Sequence, residues 1–229
     1  MTEEKKPAET RPETRRARKR WPVAAAVVAA VVIVAGAGFY AWHEQPSFCN
    51  AVCHAPMDPY LPTYEAEPGQ AALDKWGNEV SEAASMMAAS HRAADGTTCM
   101  GCHVPTLGEQ VSEGMAWVAG DYYDPLDERS LAELGAAREL EGDEFCLNEA
   151  CHANADGTAM TRDDLAELTA DREFNPHVTQ HEERACSDCH KAHRASVMVC
   201  SQCHAEAEVP EGWITPVQDA QLLKPIPVA

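Results

Sequence analysis

Every one of the ten cysteines belongs to a close pair, and the second Cys of each pair is followed at once by His. Cys186 and Cys189 precede His190, and Cys200 and Cys203 precede His204, with only nine residues between the two units. Cys99 and Cys102 precede His103 at the same two-residue spacing. Cys49 and Cys53 before His54 are separated by three residues, and Cys146 and Cys151 before His152 by four. Cys-x-x-Cys-His is the attachment pattern of c-type haem, in which two thiols form thioethers to the vinyl groups and the adjacent His reaches the iron. Zinc sites and disulfides also pair cysteines, but neither requires a His after each pair. Five such coincidences have a chance on the order of 10⁻⁷. The expected cofactors are therefore five covalently bound haem c groups, held by all ten cysteines. His54, His103, His152, His190 and His204 are the expected proximal iron ligands. In the two widened pairs the extra residues must bulge between fixed vinyl positions.

Composition bears on what surrounds such sites. Acidic residues outnumber basic ones by 37 to 18, a net charge of −19, which argues against a nucleic-acid partner. Aromatics are only 6%, and 13 Gly and 15 Pro interrupt the chain, so a core of protein alone is thin and buried porphyrins supply the missing apolar mass. The expected fold is mostly α with extensive irregular loops, a multihaem cytochrome c fold with a haem-filled core, preceded by a single N-terminal transmembrane helix.

Residues 1–20 carry eight basic and four acidic residues and form a basic cytoplasmic tail. Residues 21–42 follow as the transmembrane anchor. Its 21 residues from Pro22 to Trp42 hold no charge and span about 30 Å as a helix, the depth of a bilayer core. The positive flank stays inside, so residues 43–229 form the extracytoplasmic pentahaem domain. A cleaved signal peptide, with Ala35-Gly36-Ala37 as its site, is the competing reading. The outer part keeps 10 basic and 33 acidic residues, or −23, and calls for a partner with a basic docking face. Pro68-Gly69 opens a stretch, alanine-rich from Ala71 and ending near Gly96, that reads as one long helix. Leu107–Ala119, Ser130–Leu140 and a segment capped by Thr161 read as shorter ones. No strand is expected, and the proline-rich tail after Ala205 reads as an irregular covering segment.

Five histidines remain outside the pairs: His43, His91, His177, His181 and His193. One per haem is what bis-histidine ligation would need. The two axial ligands of one iron lie on opposite porphyrin faces. If residues 190–193 are helical, His190 and His193 point the same way, so His193 serves a neighbouring iron or none. His177 and His181 suit two different haems for the same reason. Met57 competes with His43 for the first iron, and a thioether there would raise that haem's potential. If Met57 is the ligand, His43 is freed at the end of the membrane span, where a quinol head group arrives.

Two stretches resemble known families. The basic tail, single span, first pair with Met57 nearby, and His91 followed by Cys99-Met-Gly-Cys-His-Val-Pro105 resemble the NapC/NirT/NrfH membrane-anchored cytochromes, over roughly residues 15–125. The first pair departs from that family in its three-residue spacing. From Cys146 onward, Asn175-Pro-His177, His181, Cys186-x-x-Cys-His-x-x-His193 and Cys200-x-x-Cys-His204 resemble the tetrahaem domain of flavocytochrome fumarate reductases. That second resemblance implies that His177, His181 and His193 are distal haem ligands. The two together imply an electron carrier that oxidises menaquinol at the outer membrane face and reduces a separate extracytoplasmic reductase, a flavoprotein of the fumarate-reductase type. His43, Asp121 and Asp124 are the candidate quinol-site residues. A terminal haem reductase with an open iron, and a relay that never touches quinol, are the alternatives.

Overall fold

The computed structural model describes residues 17–121, 128–178 and 183–222, with the side chains of 17–20 and 53–56 outside that description. Asp124 and His181 therefore lie outside the described residues. The chain forms two compact units, one ending at His43 and the other beginning at Glu44.

The first unit is one helix, α1 (Ala17–His43). Its stretch Trp21–His43 has a mean hydropathy of 2.4 over its most apolar window and is long and apolar enough to cross a membrane, either as an anchor or as a signal sequence.

The second unit opens with α2 (Pro46–Met57) and α3 (Leu61–Glu65). The long helix expected over 71–96 is not formed. Instead β1 (Ala72–Leu73) and β2 (Glu79–Val80) pair antiparallel, a 3-10 turn covers Ala83–Ser85, and α4 runs only from Met87 to Asp95. Asp74 is the reason. Its carboxylate accepts from the Trp76 and Asn78 amides, both at 2.8 Å, and from Asn78 Nδ2 at 2.9 Å. Gly77 supplies the positive φ of +86° that the tight turn requires. These local bonds outcompete the modest helix preference of the alanines. Glu82 then starts the 3-10 turn by accepting from Ala84 N and Gly69 N at 2.8 and 2.7 Å.

Helix α5 (Cys99–Cys102) is a single turn at the second cysteine pair. As expected, α6 spans Leu107–Ala119, closed at its start by a capping box between Thr106 and Glu109. The candidate over 130–140 is helical only for α7 (Leu131–Gly135), after which the chain tightens into a 3-10 turn at Ala136–Arg138. Thr161 caps α8 (Arg162–Leu168) as expected. A further single turn, α9 (Cys186–Cys189), carries the fourth pair, and 3-10 turns at Gly142–Phe145 and Val199–Gln202 lead into the third and fifth. The tail is more ordered than its prolines suggest. Thr215 and Pro216 begin α10 (Pro216–Gln221), a use of proline at the first helical position.

The apolar core is small, as the composition implies: Val80, Ala83, Met86, Ala89 and Ala195, with Ala66, Ala72 and Ile214 packed against them. It joins the hairpin, α4 and the segment after His193. The first two amides of α4, which have no partner within their own helix, donate to Lys191 O and Ala192 O at 2.8 and 3.0 Å. Ser196 Oγ donates to Ser85 O at 2.5 Å and accepts from Lys191 N at 3.0 Å. Arg194 is 3% exposed and paired to Glu128 and Asp219. Residues 190–198 are thus an irregular loop pinned to α4, not the helix on which the His190–His193 expectation rested.

Candidate functional site

The cysteine pairs acquire their geometry from short helical turns. Positions 49 and 53 of the first pair are i and i+4 along the continuous helix α2. The one extra residue of this pair needs no bulge there, because the continuing α-helix absorbs it. Cys99 and Cys102 on α5, and Cys186 and Cys189 on α9, are i, i+3 neighbours. Each following His amide donates to the first cysteine's carbonyl: His103 to Cys99 at 2.8 Å, His190 to Cys186 at 2.9 Å and His204 to Cys200 at 2.9 Å. The widened third site ends in the same bond, His152 N to Cys146 O at 3.2 Å. Its extra residues form the expected bulge, held by Asn148, whose Oδ1 accepts from Ala150 N and whose Nδ2 donates to the Glu144 and Phe145 carbonyls.

Successive pairs lie against one another. The Cys49 and Cys99 thiols are hydrogen-bonded, and so are those of Cys146 and Cys186. Cys102 lies within electrostatic reach of Cys146 and Cys151, and Cys189 within reach of Cys200. The Cys99 contact, with burial, pushes the Cys49 thiol up, and the same bond lowers Cys99 to about 7.

The histidine rings meet in pairs. His103 and His193 have centroids 6.1 Å apart and planes 26° apart. His177 and His190 are 6.4 Å apart with planes at 4°, and His91 and His152 are 6.1 Å apart at 89°. Two imidazoles bound to opposite faces of one metal, with a metal–nitrogen bond of about 2.0 Å, have centroids about 6 Å apart. Among the described residues no three His, Cys, Asp or Glu side chains converge as a tetrahedral zinc site requires. This donor set, with thiols in pairs and imidazoles facing imidazoles, fits covalent haem. His204 has Phe174 at 4.8 Å, and Trp213 stands edge-on to His190 at 5.2 Å.

Burial keeps several of these rings neutral, the form that binds a metal. It pushes His193 down to about 3, with His103 and Lys75 adding to the effect, and His190 down to about 4. His103 and His177 are lowered as well, each mainly by burial. Met57 closes α2 and its carbonyl accepts from Tyr60 N at 3.0 Å. His43 is the last residue of α1. Asp121 follows the C-cap of α6, and Trp117 on that helix donates from Nε1 to Val52 O at 2.9 Å, beside the first attachment pair.

Sequence reasoning passed over several supporting residues. Arg138 donates to Met100 O and Gly101 O, the two residues inside the second pair, at 3.1 and 2.7 Å. Asp143 accepts from Cys186 N at 2.9 Å and pairs with Arg162, tying the third site to the fourth. Thr63 and Thr169 hold histidine nitrogens at 2.7 and 3.0 Å. No spacing rule marks such contacts, which join residues up to 130 positions apart.

A family model described as cytochrome c3 matches residues 134–205, the stretch holding the last three cysteine pairs. The cytochrome c-type protein Cgr1 of Eggerthella lenta is 61% identical over 197 residues, covering 86% of this chain and 88% of that protein. No solved structure matches the chain.

Proposed function

Because the chain belongs to the c-type cytochrome family of Cgr1, we propose that it is a membrane-anchored pentahaem electron carrier. In this reading it takes electrons from menaquinol and delivers them to an extracytoplasmic reductase. When bound, the haems supply one-electron chemistry between adjacent irons. The observation that carries the reading is the succession of cysteine contacts. Cys49 touches Cys99, Cys102 is within reach of Cys146 and Cys151, Cys146 touches Cys186, and Cys189 is within reach of Cys200. Attachment sites that adjoin in chain order make a continuous row from the residues after the apolar helix to the C-terminal part.

The chain's own residues have definite tasks in this scheme. The ten cysteines fix the row, and His54, His103, His152, His190 and His204 hold the irons from one side. α1 tethers the haem domain, with its basic flank on the cytoplasmic side. His43 and Asp121 take the protons that quinol releases; Asp124 is the third candidate. The bond from Trp117 to the Val52 carbonyl, which keeps the end of α6 by the first pair, supports Asp121 in that task. The resemblance of residues 15–125 to membrane-anchored quinol-oxidising cytochromes supports the donor. The acceptor is a separate flavoprotein, supported by the resemblance of the C-terminal stretch to a flavin-linked haem domain. The −23 charge of residues 43–229 favours a partner with a basic face.

The test uses haem-loaded full-length protein in detergent. A reduced menaquinone analogue is added and the haem absorption bands are followed by stopped flow. Reduction on a catalytic timescale, slowed by His43→Ala or Asp121→Asn, is expected. No reduction would remove the quinol step and leave a relay fed by another carrier.

A further inference from the structure

We infer that His91, His193 and His177 are the distal ligands of the irons held by His152, His103 and His190 respectively. The inference rests on the haem reading above and goes beyond it by naming which imidazole completes which centre. The assignment is not the one that chain proximity suggests. His91 lies eight residues before Cys99, yet its ring faces His152 of the third pair at 6.1 Å. His193 lies three residues after His190, yet its ring faces His103 of the second pair at 6.1 Å. His190 faces His177 at 6.4 Å.

Second contacts support the same roles. A ligating histidine characteristically donates its other ring N–H to an oxygen, which fixes the tautomer and the ring orientation. His91 Nδ1 lies 2.7 Å from Met87 O, which can only accept. Thr63 Oγ1 gives its proton to Tyr60 O at 2.7 Å, so toward His193 Nδ1, also at 2.7 Å, it is the acceptor. Thr169 Oγ1 has Leu165 O and Asn175 Oδ1 as acceptors at 2.8 and 2.7 Å, so toward His177 Nδ1 at 3.0 Å it too accepts. In all three rings Nδ1 is thereby protonated and Nε2 keeps its lone pair for a metal. The three distal candidates share a feature that their sequence positions do not predict.

The crossing has a structural consequence. His91 on α4 reaches the third site, and His193 on the loop pinned to α4 reaches back to the second. Each ligation closes a long chain loop, so the two halves of the domain are joined through metal bonds as well as through the small core.

The ring planes make the test specific, because perpendicular axial imidazoles give a ferric low-spin centre with a much larger principal g value than parallel ones. Among the three assigned centres only His91–His152 is perpendicular, at 89°. Electron paramagnetic resonance of oxidised, haem-loaded His91→Ala protein should lose a large-g signal and gain one high-spin centre, with the near-parallel signals kept. Combining His91→Met with Cys146→Ser and Cys151→Ser should abolish the far-red methionine-to-iron absorption that His91→Met alone creates, whereas Cys99→Ser with Cys102→Ser should spare it. Should these variants fail to mature, an experimental structure of the haem-loaded wild-type chain decides the matter. Its expected result is His91 and His152 on one iron, His193 and His103 on a second, and His177 and His190 on a third. Any other pairing in a haem-loaded protein overturns the assignment, whereas wild-type protein without haem overturns the functional reading on which it rests.

Discussion

At the residue scale, the decisive feature is that His91, His177 and His193 each set Nδ1 against an oxygen. Replacing Thr63 by Val removes the hydroxyl that accepts from His193 while keeping the shape. The imidazole then donates less electron density, and the potential of one haem should rise in an optical redox titration. An unchanged titration curve would show that the Thr63 hydroxyl does not tune an iron. Arg194 is a second residue with a legible task. It is nearly excluded from water and holds Glu128 and Asp219 together, while lying over the Trp76 ring. Arg194→Met should cost roughly 2–3 kcal/mol in denaturant unfolding, less than a fully buried pair because both carboxylates keep some water. Burial by itself would raise the Glu128 carboxyl, but Arg194, Lys191 and Lys75 outweigh it and hold it below 4.5. The native state therefore binds fewer protons there than the unfolded chain. This stabilisation is complete above about pH 4.5 and fades as the pH falls through the lowered value. Arg194→Met should flatten the acid limb of the stability curve, as measured by unfolding between neutral and acid pH.

At the element scale, the attachment motifs were legible because their chemistry is written in adjacent residues, and two helices that begin with a capping residue, α6 and α8, were legible for the same reason, whereas α10 was hidden by the prolines around its Thr215 cap. Thr106 and Thr161 announce α6 and α8, and Thr106→Ala should cost about 1 kcal/mol in unfolding experiments. The expected helix over 71–96 misled because alanine content says little where one aspartate gathers three donors around a turn. The loop at 190–198 misled for a different reason. Its amide and carbonyl partners lie about a hundred positions away on the 3-10 turn and α4, and no local pattern records them. Gly212 illustrates the same point. Its φ is +75°, and an added Cβ would come within 2.5 Å of Glu82 Cβ and 2.6 Å of Glu82 O. Gly212→Ala should therefore destabilise by well over the roughly 1 kcal/mol of a simple glycine replacement, visible as a lower melting temperature.

At the scale of the whole molecule, eight buried apolar side chains among the described residues, five of them in one cluster, make a small nucleus for a unit running from Glu44 onward. The cofactors must complete it. Material matured without haem should therefore melt non-cooperatively and be cleaved readily by protease, whereas haem-loaded protein should unfold in one transition. The proposed five haems depend most on the two widened pairs, one within α2 and one at the Asn148 bulge. Intact-mass spectrometry of mature protein measures their number directly. The account predicts the polypeptide plus five covalently attached tetrapyrroles, with no free thiol. A mass lacking the haems of the Cys49–Cys53 or Cys146–Cys151 sites, or free thiols with bound zinc, would contradict it.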